Sequence, residues 1–393
     1  MSIGGWAPRT VGNAVEAAAS RRGIVRGDLH RWPSTRCGGK ILPVNPVAAL
    51  RRIAFLLERG REDSYKVRAY RTAAAAILPL SEDELRERVA HGTLTDLAGI
   101  GPSTAKVITE ALEGGMPKRL ADAEADFGGP LTSDGHGDGL RALVRGDLHS
   151  HSDWSDGGSP IEEMAMTALE LGHEYLALTD HSPRLKVANG LTAERLQKQL
   201  GIVAALNDHL AAMSDDGEFR LLTGIEVDIL DNGALDQTDE MLAKLDIRVA
   251  SVHSKLEMEE KAMTRRMVNA VTTTPMNILG HCTGRLVTGS RGTRKQSKFD
   301  ARAVFEACAE HDVAVEINSR PERSDPPDDL LALARDIGCL FSIDSDAHAP
   351  GQLDFLVLGC ERAEAAGIDP DRIVTTWPRE RLLEWAGRRL AAG

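Results

Sequence analysis

The sequence has few aromatic residues, few cysteines and no long apolar segment. Phe, Trp and Tyr make up 4% of its 393 residues, so stacking platforms for single-stranded nucleic acid are not expected to dominate. The five cysteines are scattered and form no CxxC pair, which argues against a disulfide framework or a cysteine zinc finger. No apolar run approaches the roughly 20 residues of a membrane helix, and residues 1–10 lack a signal-peptide pattern. These absences predict a cytoplasmic protein that has no membrane partner.

Charge is distributed unevenly along a chain of otherwise ordinary composition. Hydrophobic residues make up 42% and charged residues 27%, which excludes disorder as the main state. Residues 1–43 carry a net charge of +5, residues 44–125 a net charge of zero and the remainder −17, within a total of −12. An acidic body binds phosphate poorly by itself, but bound metal cations would reverse its sign locally.

Changes in pattern divide the chain into four segments. Residues 1–43 show no sustained period and are predicted to be a mobile leader. Residues 44–125 are predicted to be helical, from the apolar spacing after Pro46, a capping box at Ser81–Glu84 and a tight Gly99-Ile-Gly101 turn between two helices. Residues 126–140 have the composition of a linker, and residues 141–393 form the last segment.

The last segment alternates short apolar runs with amphipathic helical stretches. Seven such strand–helix repeats indicate a parallel barrel, whose active site lies at the carboxyl ends of the strands. The predicted strands are Ala142–His149, Tyr175–Thr179, Leu221–Val227, Ile247–Val252, Asn277–Leu279, Ala314–Ile317 and Leu340–Ile343.

Histidine and carboxylate residues recur at the carboxyl ends of these predicted strands. Six of the twelve histidines occur there, and imidazole and carboxylate are ligands suited to zinc, manganese or iron. The histidine and carboxylate residues at or just after these ends include Asp147, His149, His151, Asp156, Asp180, His181, Glu226, His253, His281, Glu316, Asp344, Asp346 and His348. No role is assigned to the other six histidines, which are His30, His91, His136, His173, His209 and His311.

This arrangement over residues 142–365 resembles the PHP (polymerase and histidinol phosphatase) family of metal-dependent phosphoesterases. The resemblance implies a distorted (β/α)7 barrel and three divalent ions, of zinc, manganese or iron. It implies that His149, His151, Glu226 and Asp346 hold one ion, that Glu226 bridges to a second held by His253 and His281, and that Asp156, His181 and His348 hold a third. Cys282, where many relatives have proline, is expected to be a small buried side chain.

The chemistry implied by this resemblance is hydrolysis of phosphate esters by metal-activated water. Two ions bridged by one carboxylate, about 3.5–4 Å apart, lower the pKa of a bound water and clamp both oxygens of an in-line displacement. Cationic side chains must also hold the phosphate, and the candidates are Lys255, Arg285, the run Arg291–Lys298, Arg320 and Arg323. Arg285 and Arg323 are preferred because arginine matches phosphate geometry, so the expected catalytic residues are these two with Glu226 and Asp346.

The segment around the Gly99-Ile-Gly101 turn is similar to a helix-hairpin-helix domain. Such a turn presents backbone N–H groups at a helix N-terminus to a DNA phosphate, and the expected DNA contacts are Gly99, Gly101, Ser103 and Lys106. Together with Leu50–Ala54 and Tyr65–Arg71, it resembles the amino-terminal domain of bacterial family X DNA polymerases, whose carboxyl-terminal domain is a PHP barrel.

Two departures from those polymerases limit what the resemblance implies. Only residues 126–140 stand where the polymerases have a palm, so the chain is not expected to be a DNA polymerase. The position of their deoxyribose-phosphate lyase lysine is occupied by Val107, which argues against Schiff-base lyase chemistry.

Two functions therefore remain open. One is a DNA-associated 3′-5′ exonuclease or 3′-phosphatase of DNA repair, in which the helical domain grips the DNA backbone. The other is a small-molecule phosphomonoesterase of histidinol-phosphatase type, whose helical domain is not catalytic. Glu316-Ile-Asn318 followed by Arg323 and Asp325 resembles the polymerase-linked barrels more than the stand-alone phosphatases, which favours DNA. The neutral charge of the helical domain favours the monoester. A non-enzymatic metal scaffold is disfavoured because no ligand is missing.

Overall fold

The computed structural model describes residues 36–37, 40–41, 44–213, 219–289 and 292–391. The leader predicted for residues 1–43 lies outside the described residues, apart from two short strands, β1 (Arg36–Cys37) and β2 (Lys40–Ile41), which pair antiparallel. The rest forms two compact units, the first ending at Gly129 and the second beginning at Pro130. Within the described ranges, no helix combines the length and apolar character needed to cross a lipid bilayer.

Residues 44–129 of the first unit form five α-helices. They are α1 (Pro46–Arg59), α2 (Ser64–Ile77), α3 (Glu82–His91), α4 (Pro102–Leu112) and α5 (Lys118–Phe127). The Asn45 side chain caps α1 by accepting from the amides of Val47 and Ala48, and the predicted capping box at Ser81 begins α3. The helix predicted before Gly99 is only a 3₁₀ turn, Leu94–Asp96, because the chain turns at Gly99 with φ +90°.

Ion pairs join the helices of the first unit to one another. Glu58 on α1 is buried and accepts two hydrogen bonds from Arg71 on α2, at 3.0 and 2.7 Å. Arg52 on α1 pairs with Glu124 on α5 at 2.7 Å. Both arginines belong to the segments that resemble the polymerase domain, and they hold their own unit together.

The second unit confirms the predicted seven-stranded parallel barrel. The strands follow chain order around the sheet, and a bridge between Ser150 and Ala347 joins the first edge to the last. They are β3 (Gly146–Ser150), β4 (Tyr175–Leu178), β5 (Arg220–Asp228), β6 (Ile247–Ser251), β7 (Ile278–Leu279), β8 (Ala314–Asn318) and β9 (Leu340–Asp344).

Helices alternate with the barrel strands along the chain. They are α6 (Asp138–Arg141), α7 (Ile161–Glu170), α8 (Ala193–Met213), α9 (Asp239–Leu242), α10 (Glu260–Thr273), α11 (Ala301–Glu310), α12 (Asp328–Ile337), α13 (Leu356–Ala365) and α14 (Arg379–Ala391). The first strand begins at Gly146 rather than at Ala142. The Glu364 carboxylate accepts from the amides of Gly137 and Leu140 at 2.9 and 2.7 Å, and the chain before the strand forms the short α6.

An apolar cluster closes the amino-terminal end of the barrel. The first residues of several strands, including Tyr175 and Ile247, pack with Trp377 and with Trp385 of α14. Trp385 is 1% exposed, and its ring meets Trp377 edge-on at 6.1 Å. The polar side chains inside this barrel therefore gather at the opposite, carboxyl-terminal end.

Candidate metal centre

All nine predicted metal ligands lie together at the carboxyl-terminal end of the barrel. Their side-chain nitrogen and oxygen atoms form four overlapping groups, and within each group these atoms lie within 4.8 Å of one another. The groups are His151, Asp156, His181 and His348; His149, His151 and Asp346; His149, Glu226 and His281; and His181, Glu226 and His253.

Glu226 lies at the middle of the centre. It is 1% exposed, and its Oε1 is 2.8 Å from His281 Nε2 and 3.1 Å from His253 Nε2. Its Oε2 is 2.9 Å from His181 Nδ1 and 3.3 Å from His149 Nε2. One carboxylate thus faces imidazoles from four other parts of the barrel, which is the geometry that a bridging ligand requires.

Asp156 defines a second focus at the edge of the centre. Its Oδ1 is 3.4 Å from His181 Nε2 and 3.4 Å from His348 Nε2, and its side chain is 29% exposed. His151 joins this group and also lies 3.4 Å from Asp346. His151 is therefore shared between this focus and the one that contains Asp346, whereas the resemblance implied only the latter.

The donor set fits a divalent cation. His149 Nε2, His151 Nε2, His181 Nδ1 and His253 Nε2 are buried and face carboxylates of the centre without making a hydrogen bond, as expected of atoms that ligate an ion. The unpartnered nitrogen of His281 is Nδ1, whereas its Nε2 meets Glu226. The opposite nitrogens of two of these rings are held: His149 Nδ1 lies 2.5 Å from Glu316, and His253 Nδ1 lies 3.1 Å from Asp228. A carboxylate that takes the Nδ1–H leaves Nε2 free for metal, so both tautomers favour ligation.

The predictions from sequence assigned no supporting role to either of these carboxylates, Glu316 and Asp228. Glu316 also accepts from the amide of His281 and from the side chain of Asn318. Asp228 follows Glu226 by two residues on β5, so both side chains point to the same face of the strand. That spacing of two was the signal that could have identified Asp228.

Carboxylates at the centre hold protons on several of its imidazoles. Burial lowers the pKa of His149, but Glu316 and Glu226 outweigh it, and the resulting pKa lies well above its usual value. Burial also opposes protonation of His181, whose pKa Glu226 and Asp156 nevertheless raise to about 10. In the metal-free protein these carboxylates therefore favour the charged, protonated form of both rings.

Other members of the centre have lowered pKa values. Burial would raise the pKa of Glu226 and Asp346, but the positive charges facing them, His253 first for Glu226 and Arg323 first for Asp346, hold both pKa values well below the usual range. Burial lowers the pKa of His151 to about 3, so this ring is neutral and ready to ligate.

The two preferred arginines occupy different positions beside the centre. Arg323 donates from Nε to Asp346 at 2.9 Å, while its buried Nη1 has no hydrogen-bond partner. Arg285 instead donates to the backbone carbonyls of Arg323 and Ser324, so it holds the loop that carries Arg323. Arg320 lies 3.8 Å from Asp346 Oδ1.

The other candidate cations lie further from the ligands or have other partners. Lys255 is exposed and pairs with Asp231. Arg294 donates from Nε to the carbonyl of Gly284 at 2.7 Å, whereas Lys295 and Lys298 are exposed. Arg291 lies outside the described residues. Cys282 is 5% exposed and contacts Asp325 rather than any of the four ligand groups.

Gly99 and Gly101 lie in a turn that leads into α4, and the space beside Gly101 at the start of this helix is unfilled. Gly99 has φ +90°, and a Cβ there would lie 2.6 Å from Thr72 Cγ2, whereas a Cβ on Gly101 would meet nothing within 4 Å. Ser103 and Lys106 are exposed in the first turns of α4. Val107 is 1% exposed and offers no amine, in keeping with the argument against a lyase.

None of the histidines left without a role belongs to the four ligand groups of the described residues. His30 lies outside the described residues. His173 lies 3.0 Å from an Arg141 nitrogen, and His91 lies 2.9 Å from the carbonyl of Glu87.

Comparison with known proteins matches both parts of the chain. A helix-hairpin-helix domain model matches residues 45–117 and a PHP domain model matches residues 147–320. The DNA polymerase/3′-5′ exonuclease PolX of Bacillus subtilis is 40% identical over 231 residues, which are 59% of this chain and 39% of that protein. The chain therefore covers well under two thirds of that relative.

A probable phosphatase and one solved structure are less similar to the chain. A probable phosphatase of Vibrio parahaemolyticus is 27% identical over 254 residues, covering 60% of this chain and 91% of that protein. The crystal structure of a histidinol phosphate phosphatase from Lactococcus lactis, complexed with zinc, L-histidinol and phosphate, is 18% identical with a TM-score of 0.41. That comparison covers 57% of this chain and 95% of the other.

The two matched regions are separated by residues 118–146, which are too few for a polymerase palm. The first region is the helical unit with its Gly99–Gly101 turn, and the second contains most of the barrel and seven of the nine clustered ligands. The chain thus carries an amino-terminal helix-hairpin-helix domain, which is followed in the sequence by a PHP domain folded as a seven-stranded parallel barrel.

Proposed function

We propose that this protein is a metal-dependent phosphoesterase that acts on DNA ends, as a 3′-5′ exonuclease or a 3′-phosphatase in DNA repair. The observation that carries the proposal is the set of four overlapping ligand groups centred on Glu226 at the open end of the barrel. Up to three divalent ions, of zinc, manganese or iron, would occupy these groups, held by the nine ligands as the resemblance implies.

The side chains of the centre have different roles in the proposed hydrolysis. The nine ligands would hold divalent ions, which would supply an activated water and positive charge to balance the phosphate. Glu316 and Asp228 orient the imidazoles of His149 and His253, and Asp346 is in turn fixed by Asn318 and Arg323. The unpartnered Nη1 of Arg323 is a donor for a phosphate oxygen, whereas Arg285 acts by holding the Arg323 loop.

The proposed organisation follows the sequence boundaries. Residues 44–125 would grip DNA backbone through Gly99, Gly101, Ser103 and Lys106, residues 126–140 would link the domains, and residues 141–393 would carry the chemistry. The similarity to PolX, a named 3′-5′ exonuclease, supports DNA as the substrate. Four cysteines of the barrel unit are buried and free of disulfides, which supports a reducing cytoplasmic location.

A small phosphate monoester is the second candidate substrate. It is favoured by the probable phosphatase of Vibrio, 91% of which aligns with a region of about barrel size and leaves no need for a helical domain. A panel of substrates separates the two candidates: 3′-labelled oligonucleotides, 3′-phosphorylated oligonucleotides and small monoesters, each with purified protein and added Mn²⁺ or Zn²⁺. Release of labelled nucleotide or 3′-phosphate supports DNA, and hydrolysis of monoesters alone overturns it.

Metal binding is expected to release protons. In the metal-free protein nearby carboxylates outweigh burial and raise the pKa values of His149, His181 and His253, that of His181 to about 10, so these rings hold a proton more tightly than a free imidazole does. A ring must be neutral to ligate, and loading all sites should therefore expel about one proton from each. Because raised pKa values keep the protons bound until the pH rises through them, metal affinity should increase from pH 6 to pH 8.

Calorimetric titration with Mn²⁺ measures this release. The observed heat should differ between two buffers of unlike ionisation enthalpy, by an amount that corresponds to the released protons. Heats that are equal in both buffers would contradict the protonation states assigned here.

The helix-hairpin-helix turn is expected to bind DNA backbone without reading its sequence. Gly101→Val should weaken binding of an oligonucleotide about tenfold at low salt, because the new side chain fills the open space before α4 where a phosphate would approach. Gly99 is unsuited to this test, since its positive φ and its contact with Thr72 would strain the fold. Fluorescence anisotropy with a labelled oligonucleotide gives the affinity, and rising salt should weaken binding steeply.

Gly115→Val is the matched control for this variant. Gly115 lies beyond the opposite end of α4, and a Cβ there makes only an ordinary 3.8 Å contact with the carbonyl of Glu110. Both variants should hydrolyse a small chromogenic phosphate ester like the wild type. If wild type and Gly101→Val bind DNA with equal affinity, the turn does not contribute to DNA binding.

A further inference from the structure

Asp156 differs from the other eight ligands in how it is positioned. It lies in the loop after β3, five residues beyond His151, and its 29% exposed side chain is the most open of the centre. Asp156 lies six residues past Ser150, the last residue of β3, which is further from its strand than any other ligand lies. The loop that carries it must therefore be held by other contacts if Asp156 is to meet His181 and His348.

Those contacts converge on one buried carboxylate, Asp180. It is 1% exposed and immediately precedes His181. Its Oδ1 accepts from the Ser152 amide at 2.8 Å and from the Ser155 hydroxyl at 2.5 Å. Its Oδ2 accepts from the Ser152 hydroxyl at 2.6 Å and from the Gln199 amide at 2.6 Å. Three of the four donors belong to the loop between His151 and Asp156.

The loop is closed tightly around these bonds. The Gly157 amide donates to the Ser152 carbonyl at 2.9 Å, and a Cβ on Gly157 would lie 2.7 Å from the backbone carbon of Ser152. The Gly158 amide donates to the carbonyl of His348 at 2.7 Å. Asp156 thus stands between a segment anchored on Asp180 and a segment anchored on His348.

We propose that Asp180 is a positioning residue that builds the ion site formed by Asp156, His181 and His348. Its carboxylate fixes the loop on one side and helix α8, through Gln199, on the other, while its own carbonyl accepts from the Glu226 amide at 3.2 Å. The hydrogen bonds that its carboxylate accepts come from Ser152, Ser155 and Gln199, none of which is a ligand, and Asp180 acts by holding Asp156 at the distance that the two imidazoles require. Carboxylates that orient ligands in this way typically change metal affinity tenfold to a hundredfold when altered.

The inference rests on the proposed metal-dependent function, but its test needs no substrate. The full-length protein is freed of metal, dialysed against Mn²⁺ at several concentrations and analysed for bound metal, with circular dichroism as a check of folding. Asp180→Asn should lose about one ion per chain, or at least tenfold in affinity for the most weakly bound ion. Asp156→Asn, which removes the ligand itself, should show the same loss.

A second variant can restore what Asp180→Asn removes. All four partners of Asp180 donate, so an Asn amide nitrogen would face a donor from Gln199. Gln199→Glu places an acceptor opposite that nitrogen, and the double variant Asp180→Asn/Gln199→Glu should recover part of the lost metal binding. Ser155→Ala, which leaves the buried carboxylate in place, should weaken the same ion several-fold and provides the test if Asp180→Asn does not fold.

Asp246→Asn is the matched control. Asp246 accepts from the amide and hydroxyl of Thr223, both at 2.9 Å, just before β6 and so at the opposite end of the barrel. It should bind metal like the wild type. A folded Asp180→Asn or Ser155→Ala with wild-type metal content and affinity would overturn the inference. Normal metal binding without hydrolysis of any phosphate ester would instead overturn the proposed function.

Discussion

Glu226→Gln is expected to lower the rate of hydrolysis by about a thousandfold or more, the largest effect of any single substitution in the centre. The variant keeps the size of the side chain but removes the charge that balances His149, His181 and His253. It also replaces one of two oxygens that face imidazoles on both sides, at 2.8 and 2.9 Å. Glu226 belongs to two of the four ligand groups, so its replacement should weaken metal binding at both of them.

His348→Gln is the comparison that isolates this bridging role. His348 belongs to one ligand group only and is 20% exposed, so its loss should affect one ion and reduce the rate less than Glu226→Gln does. Turnover of the best substrate from the panel and bound metal per chain are measured for both variants. A Glu226→Gln enzyme that retains more activity or more metal than His348→Gln would refute the bridging assignment.

The barrel could be predicted from the sequence because two repeating patterns coincide, the alternation of strands with helices and the recurrence of metal ligands after the strands. Short apolar runs alternate with amphipathic helices, and a ligand follows most of the runs, so strand ends and chemistry could be located together. His149 lies on β3 and His151 directly follows it at a spacing of two, and Glu226 and Asp228 share one face of β5. Strands and ligand positions that depend on local residue spacing could therefore be predicted from the sequence.

Features that depend on residues far apart in the chain could not be predicted from the sequence. The short helix Asp138–Arg141 forms where Glu364, more than 200 residues away, accepts from its first amides. Arg285 and Arg323 were indistinguishable as phosphate ligands by sequence, yet one holds the backbone of the other. Asp180 adjoins a predicted ligand, but its role depends on Ser152, Ser155 and Gln199, which no local pattern links.

Removal of Arg323 is expected to impair hydrolysis of both oligonucleotides and small monoesters. Its guanidinium is held against Asp346 by one nitrogen and leaves Nη1 buried and unpartnered, so it can donate to the scissile phosphate that both substrate classes share. A lost hydrogen bond to a charged group costs roughly 1.5–3 kcal/mol, which is about tenfold to a hundredfold in rate if the bond acts in the transition state. Arg323→Lys should restore only part of the rate, since a lysine cannot hold Asp346 and phosphate with separate nitrogens of one plane.

The exposed lysines of the neighbouring loop should behave differently. Lys295→Gln/Lys298→Gln removes two solvated charges that can reach flanking phosphates of a strand but are not needed to hold a single phosphate. Arg294 is left intact because it supports the carbonyl of Gly284. We expect this double variant to reduce kcat/KM for an oligonucleotide several-fold while monoester hydrolysis is unchanged, and the difference should shrink as salt rises. Equal losses on both substrates would show that the loop does not follow the strand. An Arg323→Lys enzyme with full activity would show that a single positive charge, rather than a fork bound to Asp346, is what the phosphate requires.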